Sequence, residues 1–181
     1  MKTYTPQELG SILHKHQLWL DNKDGGERAD LSNSTLSGAD LTGAILTGAI
    51  LTGADLTGAI LTGADLTRAN LSWAKLRYAN LTGAKIDDAP EVPNLCQAIL
   101  TKVEANPKCL EMGKWHNTCG TTHCLAGWAV HLAGEAGRQL ESKVGHENAG
   151  IAIFLRSHGS VPNFYSSNDE ALEWIRKEAA K

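Results

Sequence analysis

Residues 39–58 read ADLTGAILTGAILTGADLTG, and this stretch decides the fold of the chain. Leucine stands at every fifth position in it, and alanine stands two residues before each leucine. The same spacing extends in both directions over residues 29–88, and 60 residues divided by five gives twelve repeats. This period matches neither the 3.6 residues of a helical turn nor the two-residue alternation of a strand.

An α-helix cannot bring these leucines to one side. Each residue of an α-helix advances by about 100°, so residues five apart are spread by about 140° around the axis. A chain that turns a corner every five residues would instead point each leucine, and each small residue between, into a narrow interior. We therefore expect these leucines to be buried and the remaining positions to face outward.

The A(D/N)LxG pattern, as at residues 39–43 and 54–58, resembles the pentapeptide-repeat family. The resemblance implies a β-solenoid, a right-handed quadrilateral β-helix with one repeat on each face and four repeats in each coil. Twelve repeats would then make about three coils. Residues twenty apart would share a face, which stacks Asp30 with Ile50 and Asn70.

The repeat pattern predicts three segments: an N-terminal capping helix and turn at 1–28, the β-helix at 29–88, and a small α-helical C-terminal domain at 89–181. The ends of a solenoid need covers. Residues 5–8, Thr-Pro-Gln-Glu, form a capping-box signature with proline at the first helical position. We expect that helix to lie across the first coil.

Helical spacing replaces the period of five after residue 89. It predicts helices at 94–104, from near Thr122 onward, and at about 148–156. Residues 167–170, Ser-Asn-Asp-Glu, are a second capping box that opens a last helix.

Charge is spread evenly, with basic and acidic residues counting four and four in 1–28, four and six in 29–88, and nine and ten in 89–181. Sequence-independent binding of nucleic acid relies on a basic field, which this chain lacks. Direct DNA or RNA binding is therefore disfavoured.

The polar N-terminus and the absence of long apolar runs predict neither a signal peptide nor a membrane span. We expect a cytoplasmic protein. Its four cysteines, Cys96, Cys109, Cys119 and Cys124, would then be reduced thiols.

Large side chains at outward positions of the repeats are the candidate binding surface. These are Ile45 and Ile50 on the walls, and Trp73 and Tyr78 where other repeats have glycine. The isoleucines are also explained by the preference of β-branched residues for strand-like surfaces. For the two aromatic residues, packing against the C-terminal segment is the alternative to contact with a ligand.

Residues 115–128, WHNTCGTTHCLAGW, are similar to stretches that follow the repeats in other bacterial and phage pentapeptide proteins. The resemblance implies no assigned chemistry. Three interpretations remain open for the cluster. In the first interpretation, Cys119, Cys124 and Trp128 are core residues and Thr122 is the helix cap, since a buried free cysteine behaves as an apolar residue.

In the second interpretation zinc binds the cluster, through His116, Cys119, Cys124 and either His123 or the more distant His131. In the third, Cys124 is a reactive thiol whose thiolate is stabilised at a helix N-terminus. These interpretations differ in the state of the thiols and in the presence of a metal ion.

The pattern as a whole predicts a non-enzymatic interaction module that presents a β-helix surface to a protein partner, with no cofactor and no membrane. Homodimerisation is left open.

One alternative is a DNA mimic that inhibits or protects DNA gyrase, as quinolone-resistance relatives do. A duplex as long as three coils, about 14 Å, carries about eight negative charges, whereas residues 29–88 carry a net of −2, six acids against four bases. The other alternative is a zinc- or thiol-dependent activity of the C-terminal domain.

Overall fold

The structure is a computed structural model that describes residues 1–86, 89–113 and 123–181. The chain divides into two compact units, Met1–Asp88 and Ala89–Lys181. The first holds the N-terminal helix together with the repeats, and the second holds helices.

Parallel pairing between residues 20 apart organises the repeats. Single bridges run in this register from Asp30↔Ile50 to Asp65↔Lys85. The Leu31 amide donates to the Ile50 carbonyl at 2.8 Å, and the Ile50 amide donates to the Ala29 carbonyl at 2.9 Å. Positions four repeats apart are therefore hydrogen-bonded neighbours. We call residues 29–48, 49–68 and 69–86 the first, second and third coils.

Leucine fills the interior of the repeat segment, as the sequence predicts. The eleven leucines from Leu31 to Leu81 are between 0% and 4% exposed. Small residues occupy the inward position between them, and Ser34, which stands in an alanine position, donates its hydroxyl to the Leu31 carbonyl at 2.6 Å. The leucines of the repeats therefore form the core of this segment.

The fifth residue of each repeat from Asn33 to Gly83 has φ in the left-handed region. Gly43, Gly48 and Gly53 have φ of 65°, 72° and 66°. Glycine adopts this conformation without the steric penalty that a β-carbon brings. Non-glycine residues occupy it at Asn33, Arg68, Trp73 and Tyr78.

An N-terminal helix and a short strand lie against the first coil. Helix α1 (Pro6–Leu20) begins with the predicted capping box, in which the Glu8 amide donates to the Thr5 hydroxyl and the Glu8 carboxylate accepts from the Thr5 amide. Before it, strand β1 (Lys2–Thr3) pairs in parallel with strand β2 (Ser34–Thr35). The sequence did not predict β1, which covers part of an otherwise open edge.

The second unit consists of five α-helices and one 3₁₀ turn among its described residues. They are α2 (Leu95–Ala105), a 3₁₀ turn (Pro107–Cys109), α3 (Leu125–Leu132), α4 (Gly134–Val144), α5 (His146–His158) and α6 (Asn168–Ala179). Helix α6 begins with the predicted Ser167 capping box.

One helix prediction for this unit is wrong, and one helix was missed. The second helix begins at Leu125 with Cys124 as its N-cap, so the prediction of a start near Thr122 with that residue as cap is wrong. The Cys124 sulfur accepts the capping bond at 3.4 Å from the Gly127 amide. Helix α4 was not predicted at all.

Helices α3 and α5 approach closely at Gly150. A β-carbon there would meet the Ala126 side chain and its Cα, so only glycine fits this contact. Around it lies an apolar core to which α2, α3, α5 and α6 contribute, including Ile99, Leu125, Phe154 and Ile175. Within the described residues, no helix has the length and apolar character needed to cross a membrane.

Candidate binding surface and the Cys/His segment

Outward side chains of the repeats stack in columns, because residues 20 apart are paired. Coil by coil, these columns read Asp30, Ile50, Asn70; Thr35, Asp55, Lys75; Asp40, Ile60, Asn80; and Ile45, Asp65, Lys85. The predicted stacking of Asp30 with Ile50 and Asn70 is confirmed. Each isoleucine has a polar side chain in a neighbouring coil, so the isoleucines form no continuous apolar stripe.

The predicted binding residues differ in exposure. Ile45 is 46% exposed, whereas Ile50 is half-buried. Trp73 and Tyr78 are 70% and 57% exposed. The aromatic pair is therefore the most accessible part of the predicted surface.

Trp73 and Tyr78 occur at successive corners of the third coil, and two cations lie between them. The outward residues of this stretch are Lys75 and Arg77, while Ala74 and Leu76 point inward and are buried. The Arg77 guanidinium lies 4.8 Å from the centroid of the Tyr78 ring and donates to its hydroxyl at 3.0 Å. We call Trp73, Lys75, Arg77 and Tyr78 the third-coil patch. The sequence predicted the two aromatic residues of this patch. Lys75 could also have been predicted as an outward residue, because the 20-residue register pairs it with Asp55.

Acidic side chains of the second coil are paired with lysines of the third. Lys75 Nζ lies 3.4 Å from Asp55 Oδ2, and Lys85 Nζ lies 4.0 Å from Asp65 Oδ2. The pKa of Asp55 is lowered to about 2, first by hydrogen bonds from Thr57 and then by Ser37 and the charge of Lys75. The walls therefore carry alternating charges along two columns instead of a continuous negative surface.

His16 joins helix α1 to the start of the repeats. It is fully buried, and its Nδ1 accepts a hydrogen bond from the Ala29 amide at 3.1 Å. Its ring stacks on Trp19 with centroids 5.4 Å apart. Burial lowers the pKa of His16; the backbone of Thr47 opposes this and the charge of Arg28 adds to it. The side chain is thus a neutral structural acceptor.

We expect acid to weaken this junction. Because the folded-state pKa of His16 lies below its unfolded value of 6.5, its contribution to stability is complete above that value and is lost as pH falls below it. One such group changes the unfolding free energy by at most about 1.4 kcal/mol per pH unit. Urea denaturation at about pH 7.5 and about pH 5.5 measures the loss. His16→Asn, which retains an acceptor but does not titrate, should lose less than the wild type, and an equal loss would contradict the assignment.

The structure describes only part of the predicted Cys/His cluster. His116 and Cys119 lie outside the described residues, whereas His123 and Cys124 are described and buried. The His123 amide donates to the Cys109 carbonyl at 3.0 Å, and its carbonyl accepts from the Glu111 amide at 3.1 Å. Among residues 1–86, 89–113 and 123–181, no group of three His, Cys, Asp or Glu side chains could hold a metal ion.

Aromatic packing surrounds His123. Its ring centroid lies 4.8 Å from those of both Trp128 and His131. The Trp128 indole N–H donates to the Cys109 carbonyl at 3.2 Å. Trp128 and Cys124 are both buried, as the first interpretation expects of these two residues, whereas Cys119 lies outside the described residues.

The described thiols are free and buried, and burial makes them hard to ionise. It raises the pKa of Cys124 despite hydrogen bonds from the backbone of Gly127 and Ala126, and it raises the pKa of Cys96 to about 12. The pKa of Cys109 is raised for the same reason. Cys124 does stand at a helix N-terminus, but the expectation of a stabilised thiolate there is wrong, because desolvation outweighs the N–H groups.

A polar cavity of about 520 Å³ lies between the start of α2 and the ends of α5 and α6. Its buried carboxylate, Glu178, accepts from Lys181 Nζ at 2.7 Å on both oxygens and lies 2.7 Å from His158 Nε2. These bonds, led by that of Lys181, lower the pKa of Glu178 against the effect of burial. Sequence reasoning missed this cluster, since no motif links residues that only the helix packing brings together.

The periodic register, the buried leucines and the left-handed corners agree with one family of sequences. The family described as pentapeptide repeats (8 copies) matches residues 27–63 and 64–89. Residues 27–89 belong to the pentapeptide-repeat family. The match ends at residue 89, so it gives no support to the predicted relation of the C-terminal motif.

Solved pentapeptide-repeat proteins are similar to about a third of this chain. Rfr23 from the cyanobacterium Cyanothece 51142 is 41% identical over 32% of this chain and 40% of its own, with a TM-score of 0.32. HetL from Nostoc sp. strain PCC 7120, which is involved in regulating heterocyst differentiation, is 38% identical over 33% of this chain and 29% of its own, with a TM-score of 0.32. QnrB1, a plasmid-mediated fluoroquinolone resistance protein, is 25% identical over 33% of this chain and 37% of its own, with a TM-score of 0.29.

The chain thus spans less than half of the length of each of these three proteins. A search of the curated proteins gave no significant match.

Proposed function

We propose that this pentapeptide-repeat chain is a non-enzymatic binding module. In this proposal residues 29–88 form a right-handed four-sided β-helix of about three coils, whose walls are presented to a protein partner. The helical unit at 89–181 is a separate folded domain.

The pair of exposed aromatic corners carries this proposal. Trp73 and Tyr78 have φ of 60° and 59°, in a region that bulky residues rarely adopt. Glycine occupies the same corner in most repeats without strain. Trp73 and Tyr78 are largely exposed, so little apolar surface is buried at these corners to offset the strain. Bulky residues held in such a conformation are concentrated at functional sites, which supports a role for this pair in binding.

Charge does not support the alternative of gyrase inhibition by DNA mimicry. A mimic needs rows of negative charge spaced like phosphates, about one per 1.7 Å. Here the carboxylates of Asp55 and Asp65 are matched by Lys75 and Lys85 in the next coil. A supercoiling assay with purified DNA gyrase should show no change at micromolar concentrations of the protein, and inhibition would favour mimicry.

The alternative of a thiol-dependent activity has little support, since thiols with raised pKa values are poor nucleophiles at neutral pH. Zinc binding through His116, Cys119, His123 and Cys124 stays a prediction. Elemental analysis of the purified protein, with Cys119→Ser and Cys124→Ser beside it, tests it directly. Stoichiometric zinc that both substitutions remove would establish the metal site.

Site-specific photo-crosslinking tests the binding proposal itself. A benzoylphenylalanine placed at position 73 or 78 should crosslink the same protein in cells that express the chain natively. The control position is Thr82, which is exposed on a different column of the third coil. Equal crosslinking from Thr82, or none from either aromatic position, would remove the proposal.

A further inference from the structure

The third-coil patch occupies one side of one coil. Its two aromatic residues stand at the corners, and its two cations lie on the wall between them, within six consecutive residues. An extended chain rises by about 3.4 Å per residue, so this side is at most about 17 Å long. It fits an extended peptide of about five residues.

The side chains of the patch are particular to the third coil. Twenty and forty residues earlier, the corner of Trp73 is taken by Gly53 and Asn33, and that of Tyr78 by Gly58 and Gly38. The wall positions change in the same way, from threonine and serine in the first coil to Lys75 and Arg77 in the third. The inward positions of the same columns keep leucine at 36, 56 and 76 and a small residue, serine or alanine, at 34, 54 and 74, so packing of the interior does not require this change.

The arrangement of the charged and aromatic groups favours carboxylates. The Arg77 guanidinium is oriented by its contact with the Tyr78 ring, and a planar guanidinium matches a carboxylate in a bidentate fork. Lys75, whose side chain is 62% exposed, adds a second positive charge on the same wall. Aromatic faces on both sides can receive apolar side chains of the same ligand.

We propose that the third-coil patch binds an extended acidic segment of a protein partner. Its carboxylates contact Lys75 and Arg77, and its apolar side chains pack on Trp73 and Tyr78. This inference rests on the proposed function and names the chemistry of the partner. A nucleic acid fits less well, because its affinity depends on a basic field that neutralises many phosphates, and this chain has a net charge of −3.

Selection from a phage-displayed library of random peptides tests the proposal without knowledge of the partner. The full chain should enrich peptides with an excess of Asp and Glu beside aromatic or aliphatic residues. A synthetic peptide of the enriched sequence should bind about tenfold more tightly than its version with Gln and Asn in place of Glu and Asp. Enriched peptides without acidic excess would overturn the proposal, as would tighter binding of single-stranded oligothymidylate.

Matched variants distinguish loss of the surface from loss of the fold. Trp73→Gly with Tyr78→Gly restores the residue found at the equivalent corners, so thermal stability should not fall, yet peptide binding should weaken about tenfold or more. Lys75→Gln with Arg77→Gln should weaken binding similarly and reduce its salt dependence. Arg68→Gly is the control, because Arg68 is an exposed cation at a left-handed corner, φ 56°, outside the patch. Equal effects from Arg68→Gly would contradict the assignment.

The peptide and crosslinking experiments separate the two proposals. Crosslinking of one protein from positions 73 and 78, with no acidic preference in the peptide selection, would refute the acidic ligand and leave the binding module standing. Absence of site-specific crosslinking would refute both.

Discussion

Replacing Leu56 by alanine should lower the unfolding free energy by about 2–5 kcal/mol. Its side chain is fully buried in the second coil, between the equivalent residues Leu36 and Leu76 of the coils on either side. Removing three methylene-sized groups loses their transfer free energy and leaves a cavity, because the hydrogen-bonded coils restrict collapse. Urea denaturation of the purified variant measures the loss.

Ile60→Ala is the matched control for that substitution. Ile60 stands four residues later in the same coil but is 40% exposed on a wall, so its loss should stay below about 1 kcal/mol. Equal losses at the two positions would mean that leucine does not form the interior, and the fold would have to be reconsidered.

The repeat segment could be predicted in detail because its pattern is local and long. Nearly every repeat places a leucine and an alanine at the same two positions, so even the stacking of Asp30, Ile50 and Asn70 follows from counting residues. The capping boxes at Thr5 and Ser167 were predictable for the same reason, since each is set by residues three apart.

Features that depend on tertiary contact were missed, or, for the pKa of Cys124, were predicted to change in the wrong direction. Cys124 was placed correctly at a helix N-terminus, but the sequence does not reveal the burial that raises its pKa. Strand β1 forms because Lys2 and Thr3 meet the first coil, and its two residues carry no strand pattern of their own. Helix α4 begins at Gly134 and contains Gly137, residues that ordinarily argue against a helix.

The sequence predicted which residues form the candidate surface, but it did not predict their backbone conformation or exposure. Trp73 and Tyr78 were identifiable because they interrupt a glycine column, whereas their left-handed φ and high exposure required the structure. The cluster of His158, Glu178 and Lys181 is the opposite case, since packing of α5 and α6 brings together residues that share no motif. Periodic sequence thus determines the walls of this protein, while the polar interior of the helical unit depends on its tertiary fold.

Replacing Phe154 by alanine should destabilise the helical unit by about 3–5 kcal/mol. The ring is fully buried on α5, and its centroid lies 5.8 Å from those of both Phe164 and Trp174. Truncation would remove both aromatic contacts and leave a cavity in the apolar core of this unit. The measurement is urea denaturation followed by circular dichroism at the helical band.

Tyr165→Ala provides the comparison, because Tyr165 follows Phe164 in the chain but is 43% exposed. Its hydroxyl donates to Glu147 at 2.6 Å, and an exposed hydrogen bond of this kind contributes about 1 kcal/mol. The loss at Phe154 should therefore exceed that at Tyr165 several-fold. Removing a fully buried aromatic side chain should lower the unfolding free energy more than removing an exposed one. A loss at Phe154 no larger than that at Tyr165 would therefore mean that the stabilising core of this unit lies elsewhere.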